Sequence, residues 1–368
     1  MLLLAWRNLT QNRVQFFLGV GGVALAFVLM LALDALLAGS EANLVAYIEQ
    51  SGADVFVSQD GVRNMHMAAS AISWRDLRLA GYARGVTSAS PILYTSAPVK
   101  AGQAEILSYI IGFDPEEPLG GPQTVVAGTH QVQRNEAIVD EAVTRAQKLQ
   151  VGDTVEILGE SFTIAGVTRG LTSIVNSVSF IRLDDFQRLQ GVTTVSYGLL
   201  TVTPGLDLEA VAAAIMARND NVLALPRHEF AREERQIVKD MSAEILIIMN
   251  LAGLAIGLSV TALTLYTAAL RKRQEYGVLK AIGAKNHYLY GIVAIQGVCS
   301  LALGFTAALG VVWLMGQILP VVMPGSAMVL TPAGVWRVLW FSLLIGVAAA
   351  LAPAWQVARL DPARVFRS

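Results

Sequence analysis

Apolar residues of this chain are gathered into four long runs, with one long stretch of mixed composition after the first run. The runs cover about residues 16–38, 245–270, 292–319 and 335–357. A membrane-spanning helix needs roughly 20 mostly apolar residues, and each run is long enough. The sequence therefore predicts four transmembrane helices. The first run is longer than the apolar core of a signal peptide and no clean cleavage site follows it, so we interpret it as a retained helix.

The stretch between the first and second runs alternates between strand-like and helix-like patterns. Short β-rich segments occur at 53–58, 136–140, 177–183 and 197–202. Helical periodicity with leading acidic residues occurs at 140–149, 183–190 and 207–219. Residues 151–167 have the pattern of two strands joined by a turn at 159–161. Strands that alternate with helices predict a mixed α/β domain of about 200 residues.

A further helix is predicted where this inserted domain ends. From Arg227 onward there is no glycine or proline until Gly253. The pattern predicts one continuous stalk helix that runs from the inserted domain into the second span. The alternative is a helix that ends near Ser242, with a break before the membrane.

These patterns give an α-helical membrane protein with four transmembrane helices and a large extracytoplasmic mixed α/β domain between the first and second. The mixed apolar and polar residues before the first span fit a short helix lying in the membrane interface. The predicted division is an interfacial helix at 1–15, spans at 16–38, 244–270, 290–319 and 335–357, the α/β domain with its stalk at 39–243, a cytoplasmic segment at 271–289, an external loop at 320–334 and a cytoplasmic tail at 358–368.

Basic residues flank the predicted spans on one side only. In the short flanks they include Arg7 and Arg13 before the first span, Arg271 and Lys272 after the second, and Arg359 and Arg364 after the fourth; Arg235 and Lys239, before the second span, belong to the long inserted stretch. The connection at 320–334 has no charged residue. Because lysine and arginine in short flanks resist translocation, both termini and the 271–289 segment are predicted to be cytoplasmic. The expected location is a bacterial cytoplasmic membrane, with the inserted domain outside it.

Composition agrees with a membrane protein and excludes several other classes. The chain is 54% hydrophobic and 15% charged, and its mean hydropathy is +0.53. A net charge of −1 gives no electrostatic reason to expect nucleic acid as a partner. The single cysteine, Cys299, excludes an internal disulfide framework and a cysteine-rich metal site.

No catalytic motif in the chain is complete. There is no G-x-x-x-x-G-K-[ST] phosphate loop, since "GAK" at 283–285 lacks the glycine spacing and the hydroxyl residue. The segment "HEFAR" from His228 begins like a zinc-protease motif, but Arg232 stands where the second histidine ligand would be. We therefore expect no catalytic residue, no metal site and no cofactor bound by this chain.

Two weaker features are candidates for contact with cargo or a metal. Met65, His66 and Met67 form a soft-ligand grouping, although ordinary loop packing explains them as well. Asp34 lies near the outer end of the first span, where an acidic residue is a functional candidate. The alternative is that Asp34 simply reaches interfacial water.

The second span contains a spacing that favours close helix packing. Gly253 and Gly257 form "GLAIG", a G-x-x-x-G pattern that lets two helix backbones approach. The pattern predicts a helix contact without deciding whether it lies within one subunit or between two.

Two motifs resemble a known family. The segment "LRKRQEYGVLKAIGAKNHYL" at 270–289 is similar to the charged segment that follows the second span in MacB/FtsX-type permeases of ABC transporters, and "APAWQVARLDPARVFR" at 352–367 is similar to their tail. The hairpin pattern at 151–167 also resembles their external domain. The resemblance implies a type VII permease, in which two four-span subunits stand on a cytoplasmic ATPase dimer.

The resemblance also assigns a role to the charged segment, which forms the coupling helix on the ATPase in that family. Carried over to this chain, the implied contact residues are Arg273, Glu275, Tyr276, Leu279, Lys280 and Gly283. Tyr276 and Leu279, three residues apart, would be its apolar anchors.

The resemblance further implies partners and a function. MacB carries a fused ATPase, but only fifteen residues precede the first span here, so the expected form is the split one of DevC-like, HrtB-like and LolC-like permeases. A separate ATPase would hold ATP and Mg, and a second copy or a paralogue, with a possible periplasmic adaptor, would complete the complex. The expected function is export or mechanotransmission of amphipathic or periplasmic cargo (drug, lipid, lipopeptide or haem). The alternative is an FtsX-like regulator that relays ATPase motion to an external cell-wall hydrolase without transport.

Overall fold

The computed structural model describes residues 13–102, 104–117, 119–171, 177–322 and 326–358. The chain divides into two compact units. The helical unit comprises Met1–Ala38, Ser242–Ile318 and Met328–Ser368, and the inserted domain comprises Gly39–Met241 and Leu319–Ala327. Most of the predicted interfacial helix and tail, with Arg7, Arg359 and Arg364, lies outside the described residues.

Helices and strands alternate through the inserted domain and give way to helices alone after it. The described helices are α1 (Arg13–Leu44), α2 (Ala46–Gln50), α3 (Trp74–Gly81), α4 (Glu141–Gln147), α5 (Leu183–Gln190), α6 (Leu208–Met216), α7 (Arg227–Arg271), α8 (Arg273–Ala281), α9 (Asn286–Val322) and α10 (Pro332–Ala358). The described strands are β1 (Val55–Gln59), β2 (Val86–Ala101), β3 (Ala104–Phe113), β4 (Val125–Gly128), β5 (Glu136–Asp140), β6 (Thr154–Ile157), β7 (Glu160–Thr168), β8 (Ser177–Arg182), β9 (Tyr197–Val202) and β10 (Val222–Pro226).

Four of these helices, α1, α7, α9 and α10, are long and apolar enough to cross a membrane. This confirms the predicted four-helix membrane architecture, with the α/β domain inserted after the first helix. Helix α7 is continuous over 45 residues, as the absence of glycine and proline at its start predicts. It follows Pro226, and its first turn carries the acidic Glu229, which favours the positive end of the helix dipole.

The inserted domain is built on a ten-stranded sheet whose path runs β10-β1-β9-β2-β3-β8-β5-β7-β4. The 16-residue β2 pairs with β9 along its first half and with β3 along its second. Strand β6 pairs with both β2 and β7, so six strands (β2, β3, β8, β5, β7 and β6) close into a ring. Closing the ring satisfies backbone groups that an open edge would leave unpaired.

Separate apolar cores fill the inserted domain. One core, which includes Val155, Phe162 and Ile181, belongs to the ring strands and to the helices packed on them. Another joins α3 and α6 to the β10-β1-β9 side of the sheet, with Leu77 and Ile215 among its buried residues. Alternating strands and helices around buried apolar cores confirm the predicted mixed α/β class.

The hairpin predicted at 151–167 is present, but its turn lies earlier than predicted. Ile157 pairs directly with Glu160, so the turn consists of Leu158 and Gly159 rather than residues 159–161. Both turn residues have positive φ, 54° and 85°. Two-residue turns of this kind follow the right-handed twist of the flanking strands, which explains why the chain reverses there even though Leu158 is not glycine.

Candidate functional site

The segment between the second and third spans folds as the short helix α8. Its C-terminal end is closed by Gly283, whose φ is +97°. The Ala284 amide donates to the Leu279 carbonyl (2.9 Å) and the Gly283 amide to the Lys280 carbonyl (3.0 Å). This is the pattern with which a glycine in the left-handed conformation ends a helix. Gly283 therefore ends α8 and redirects the chain into α9.

One face of α8 is buried against its own subunit. Tyr276 is 2% exposed and belongs to a cluster with Ala269, Leu289 and Ile292, against which Leu279 is also packed. Burial, with a smaller contribution from the Glu275 carboxylate, raises the pKa of Tyr276 to about 12. Tyr276, which the resemblance implies as an apolar anchor, thus packs against its own chain among the described residues.

The opposite face of α8 presents two apolar side chains that are not among the contact residues implied by the resemblance. Val278 is 45% exposed and Ile282 is 76% exposed. They are four residues apart, which places them on the same side of a helical turn. An apolar pair left exposed on a short, charged segment between two spans is typical of an interaction surface. Val278 and Ile282, rather than Tyr276 and Leu279, form the outward apolar surface of the segment.

Charged residues surround this apolar pair. Arg271, Arg273 and Glu275 are exposed, and the Lys272 ammonium lies 2.6 Å from a Glu275 carboxylate oxygen. Between 271 and 285 the sequence has five basic residues and one acidic residue. The segment therefore offers a positively charged rim around an apolar centre, which is the usual anatomy of a protein docking site.

Asp34, the acidic residue predicted near the end of the first span, is paired within the subunit. Its carboxylate lies 3.0 Å from an Arg337 guanidinium nitrogen, and the Thr331 hydroxyl lies 3.4 Å from the same carboxylate. A Cβ at Gly334 would overlap an Asp34 carboxylate oxygen, so any larger residue there would displace the carboxylate. Asp34 thus forms an ion pair between α1 and α10, and its contact with cargo or interfacial water stays a prediction.

Arg337 is not part of the two family motifs. The sequence nevertheless indicates that its charge is paired. Asp34 and Arg337 are the only charged residues within the four apolar runs. Because charges in a membrane span are costly unless paired, two opposite charges in two spans predict each other as partners.

The residues of the Met65–Met67 grouping have different surroundings. The Met65 side chain is buried and that of Met67 is 68% exposed. His66 Nδ1 contacts the buried carboxylate of Glu234 on α7, and the Met65 amide donates to the same carboxylate at 2.7 Å. No group of three or more metal-ligating side chains is found in the part of the chain that the structure describes. These contacts tie the loop to α7.

The two glycines of the second span contact helices of the same subunit. A Cβ at Gly253 would lie 2.5 Å from Met30 Cγ on α1, and one at Gly257 would lie 2.8 Å from Ile345 Cδ1 on α10. The predicted close packing therefore occurs within the subunit. Gly253 packs against α1, and Gly257 packs against α10.

Comparison with known families agrees with this architecture. A model of the MacB-like periplasmic core domain matches residues 16–218, and a model of the FtsX-like permease C-terminal region matches residues 247–362. The four apolar helices and the domain inserted between the first two define a multi-pass membrane protein of the ABC transporter permease class. The chain belongs to the MacB/FtsX family of these permeases.

Individual relatives are distant but extend over the whole chain. An uncharacterized ABC transporter permease of Mycobacterium tuberculosis (strain H37Rv) is 22% identical over 368 residues, which cover 100% of this chain and 99% of that protein. The macrolide export ATP-binding/permease protein MacB of Hyphomonas neptunium is 23% identical over 398 residues, covering 99% of this chain and 60% of that protein. The crystal structure of the periplasmic region of MacB from Actinobacillus actinomycetemcomitans is 10% identical, with a TM-score of 0.38, covering 52% of this chain and 96% of that one.

Proposed function

We propose that this chain is the membrane subunit of an export complex whose ATP hydrolysis takes place on a separate cytoplasmic ATPase dimer. The observation that carries the proposal is the outward apolar pair Val278 and Ile282 on α8, which is surrounded by basic residues. ATP and Mg would be held by that partner.

The proposed mechanism is mechanical. Force applied at α8 would reach α7 directly, because Lys272 alone separates the two helices. Helix α7 then continues without interruption to Arg227 at the end of β10. A continuous helix transmits displacement along its axis better than a flexible linker does. Motion driven by the ATPase would thus move the inserted domain, with a second copy or a paralogue moving beside it.

The proposed cargo is amphipathic or already outside the membrane: a drug, lipid, lipopeptide or haem, received with or without a periplasmic adaptor. Asp34 and Arg337, the charges in the apolar runs, neutralise each other, so the described spans offer no charged path for an ion. The proposed setting is a bacterial inner membrane, with both termini in the cytoplasm and the inserted domain in the periplasm. The basic flanks of the spans support this orientation.

The test removes the apolar centre of the proposed docking surface. Val278→Asp with Ile282→Asp should lower the amount of ABC ATPase that co-purifies with the chain from its host at least about tenfold, since two buried anchors contribute more than about 1.4 kcal/mol together. The matched control is Val126→Asp with Val151→Asp, which places the same charge on two residues of the inserted domain that are each 43% exposed. The control should retain the ATPase.

Two results would contradict the proposal. If the ATPase remains bound to the Val278/Ile282 variant while the variant inserts normally, α8 is not the docking surface. If ATP hydrolysis by the complex in vesicles responds to a periplasmic protein but to no amphiphile, the chain is a regulator of the FtsX-like kind rather than an exporter. Stimulation by an amphiphilic drug or lipopeptide is the result that export predicts.

A further inference from the structure

The helical unit contains a pocket that the export proposal does not use. It lies between α7 and α10 and has a volume of about 410 Å³. Its apolar wall includes Leu246, Leu251, Leu254 and Phe341, and its polar lining comes from Asn250 and Arg337. A volume of this size is within the range of sites that bind small molecules. Close contact at Gly257 and Ile345 limits the pocket toward the middle of the helices.

Arg337 has donor capacity beyond its ion pair. Asp34 is its partner among the described residues, and the carboxylate lies 3.0 Å from one guanidinium nitrogen. The guanidinium carries five N–H donors, and the Arg337 side chain is 43% exposed while that of Asp34 is 14% exposed. Donors of Arg337 therefore remain available to an anionic group that enters the pocket.

The neighbours of Arg337 mark its depth in the membrane. Trp336 and Trp340 on the same helix are 61% and 66% exposed. Tryptophan is enriched where lipid headgroups meet the hydrocarbon core, and arginine at this depth commonly reaches phosphate groups. Arg337 also follows Pro332, the first residue of α10, by about one and a half turns. The guanidinium is thus at headgroup level in the leaflet at the N-terminal end of α10.

Asn250 supplies a second polar group to the lining of the pocket. It lies seven residues beyond Ala243 on α7, which corresponds to about 10 Å along the helix. Its amide has no hydrogen-bond partner among the described residues, and its side chain is partly exposed. An amide in a membrane span is more stable when it is hydrogen-bonded, so a ligand carbonyl next to Asn250 would be favoured.

We propose that this pocket binds one phospholipid molecule. The phosphate would accept hydrogen bonds from Arg337, an ester carbonyl would accept one from Asn250, and an acyl chain would lie along Leu251, Leu254 and Phe341. Leu254 and Phe341 each lie four residues further along their helices than Asn250 and Arg337, so the apolar wall continues from the polar groups as an acyl chain continues from its headgroup. The site goes beyond the export proposal, since it needs neither the ATPase nor the identification of a cargo.

The test uses the full chain in nanodiscs that contain phosphatidylglycerol with a photoactivatable diazirine on one acyl chain. After illumination, adducts are mapped by peptide mass spectrometry. We expect adducts at Leu251, Leu254 and Phe341 to exceed those at Trp313 and Leu314 of α9 by about fivefold, the preference that about 1 kcal/mol confers. Trp313 and Leu314 are 61% and 52% exposed and report ordinary contact with bulk lipid.

Three variants identify the side-chain groups that bind the phospholipid in the pocket. Arg337→Gln removes the guanidinium and should reduce the preference for the pocket to about that of bulk lipid. Asp34→Asn is the matched control, because it breaks the same ion pair and keeps the guanidinium; it should retain or increase the labelling. Asn250→Leu keeps the branched shape and the number of side-chain heavy atoms and removes the amide, and should reduce the labelling about two- to threefold, as expected for one neutral hydrogen bond.

Three outcomes would overturn the proposal. Equal labelling of the pocket and of Trp313–Leu314 would mean that lipid contacts the pocket only as solvent. Labelling of α9 with none in the pocket would mean that another protein surface, such as a second copy of the chain, covers it. An equal loss in Arg337→Gln and Asp34→Asn would show that the ion pair shapes the helices and that the guanidinium does not bind phosphate.

Discussion

The inserted domain and the helical unit bury their side chains in opposite ways. In the inserted domain many large aromatic residues are inside, and Phe56, Phe113, Phe162 and Tyr197 are each at most 1% exposed. In the helical unit many large apolar residues are outside, including Leu263 at 64% and Trp313 at 61% exposed. The first pattern is that of a domain folded in water, and the second is that of helices solvated by lipid.

This contrast shows which interactions hold each unit together. Lipid tails are as apolar as leucine, so the hydrophobic effect that holds the inserted domain gives little attraction between the membrane helices. Those helices instead use close approach at small residues and a paired charge. Val260 packs closely against Gly22, and Met30 packs closely against Gly253. Asp34 forms an ion pair with Arg337. Similar leucines or glycines in the two settings should therefore respond differently to substitution.

The largest expected effect comes from shortening one leucine in each setting. Leu199→Ala in β9 removes a fully buried side chain and should lower the local free energy of unfolding of the sheet by about 2–5 kcal/mol. Leu263→Ala in α7 removes the same atoms from an exposed face and should change stability by less than about 0.5 kcal/mol. Hydrogen exchange of the full chain in nanodiscs, read separately for β9 and α7, measures both.

Equal costs at the two leucines would contradict this contrast between the units. A loss of about 2 kcal/mol or more at Leu263 would mean that this face of α7 is covered by protein in the assembled complex. A loss below about 1 kcal/mol at Leu199 would mean that the surrounding core collapses into the space left by the side chain.

The next effect in size concerns glycines of the membrane helices. Gly253→Leu places a side chain where Met30 already lies and should destabilise the helical unit by about 1–3 kcal/mol, the usual cost of overpacking. Gly310→Leu in α9 is the matched control, because nothing lies within 4 Å of its added Cβ. Thermal unfolding of the purified chain in detergent measures the difference. Equal midpoints for the two variants would show that α1 and α7 do not depend on close approach at Gly253.

The sequence predicted the parts of the fold that depend on local pattern. Four apolar runs, the uninterrupted α7 and the hairpin of β6 and β7 each have a short-range signal. Strands β2 and β3 were missed because β2 contains Pro91 and Pro98, residues that argue against a strand. Pairing with other strands determines that this segment is extended. Strand β2 pairs with β3, its neighbour in sequence, and with β6 and β9, which are distant in sequence.

The candidate site was predicted in position but not in orientation. Tyr276, Val278, Leu279 and Ile282 are distributed around α8, so periodicity over nine residues does not decide which of them faces inward. The decision comes from Leu289 and Ile292 of α9, which cover Tyr276. By contrast, the Asp34–Arg337 pair was predictable, since two lone opposite charges in apolar spans must find each other or remain costly.

The smallest effect at neutral pH belongs to Tyr276, a buried side chain with a polar tip. Its hydroxyl has no hydrogen-bond partner among the described residues, so Tyr276→Phe should leave stability at pH 7 unchanged or raise it by less than about 1 kcal/mol. The pKa of this hydroxyl is raised by burial to about 12, from about 10 in the unfolded chain. The contribution of the neutral hydroxyl to the free energy of unfolding is therefore fully present below about pH 10. This contribution is lost as the pH rises toward 12.

The loss of stability at alkaline pH therefore distinguishes the contribution of Tyr276 from that of the rest of the helical unit. Wild type should lose more stability than Tyr276→Phe as the pH rises from about 9.5 to about 11, and the gap between their unfolding midpoints should widen with pH. Tyr82→Phe removes a hydroxyl from a residue that is 79% exposed, so its gap to wild type should stay constant. If the Tyr276 gap also stays constant, the hydroxyl reaches water, and Tyr276 would then share the outward surface of α8 with Val278 and Ile282.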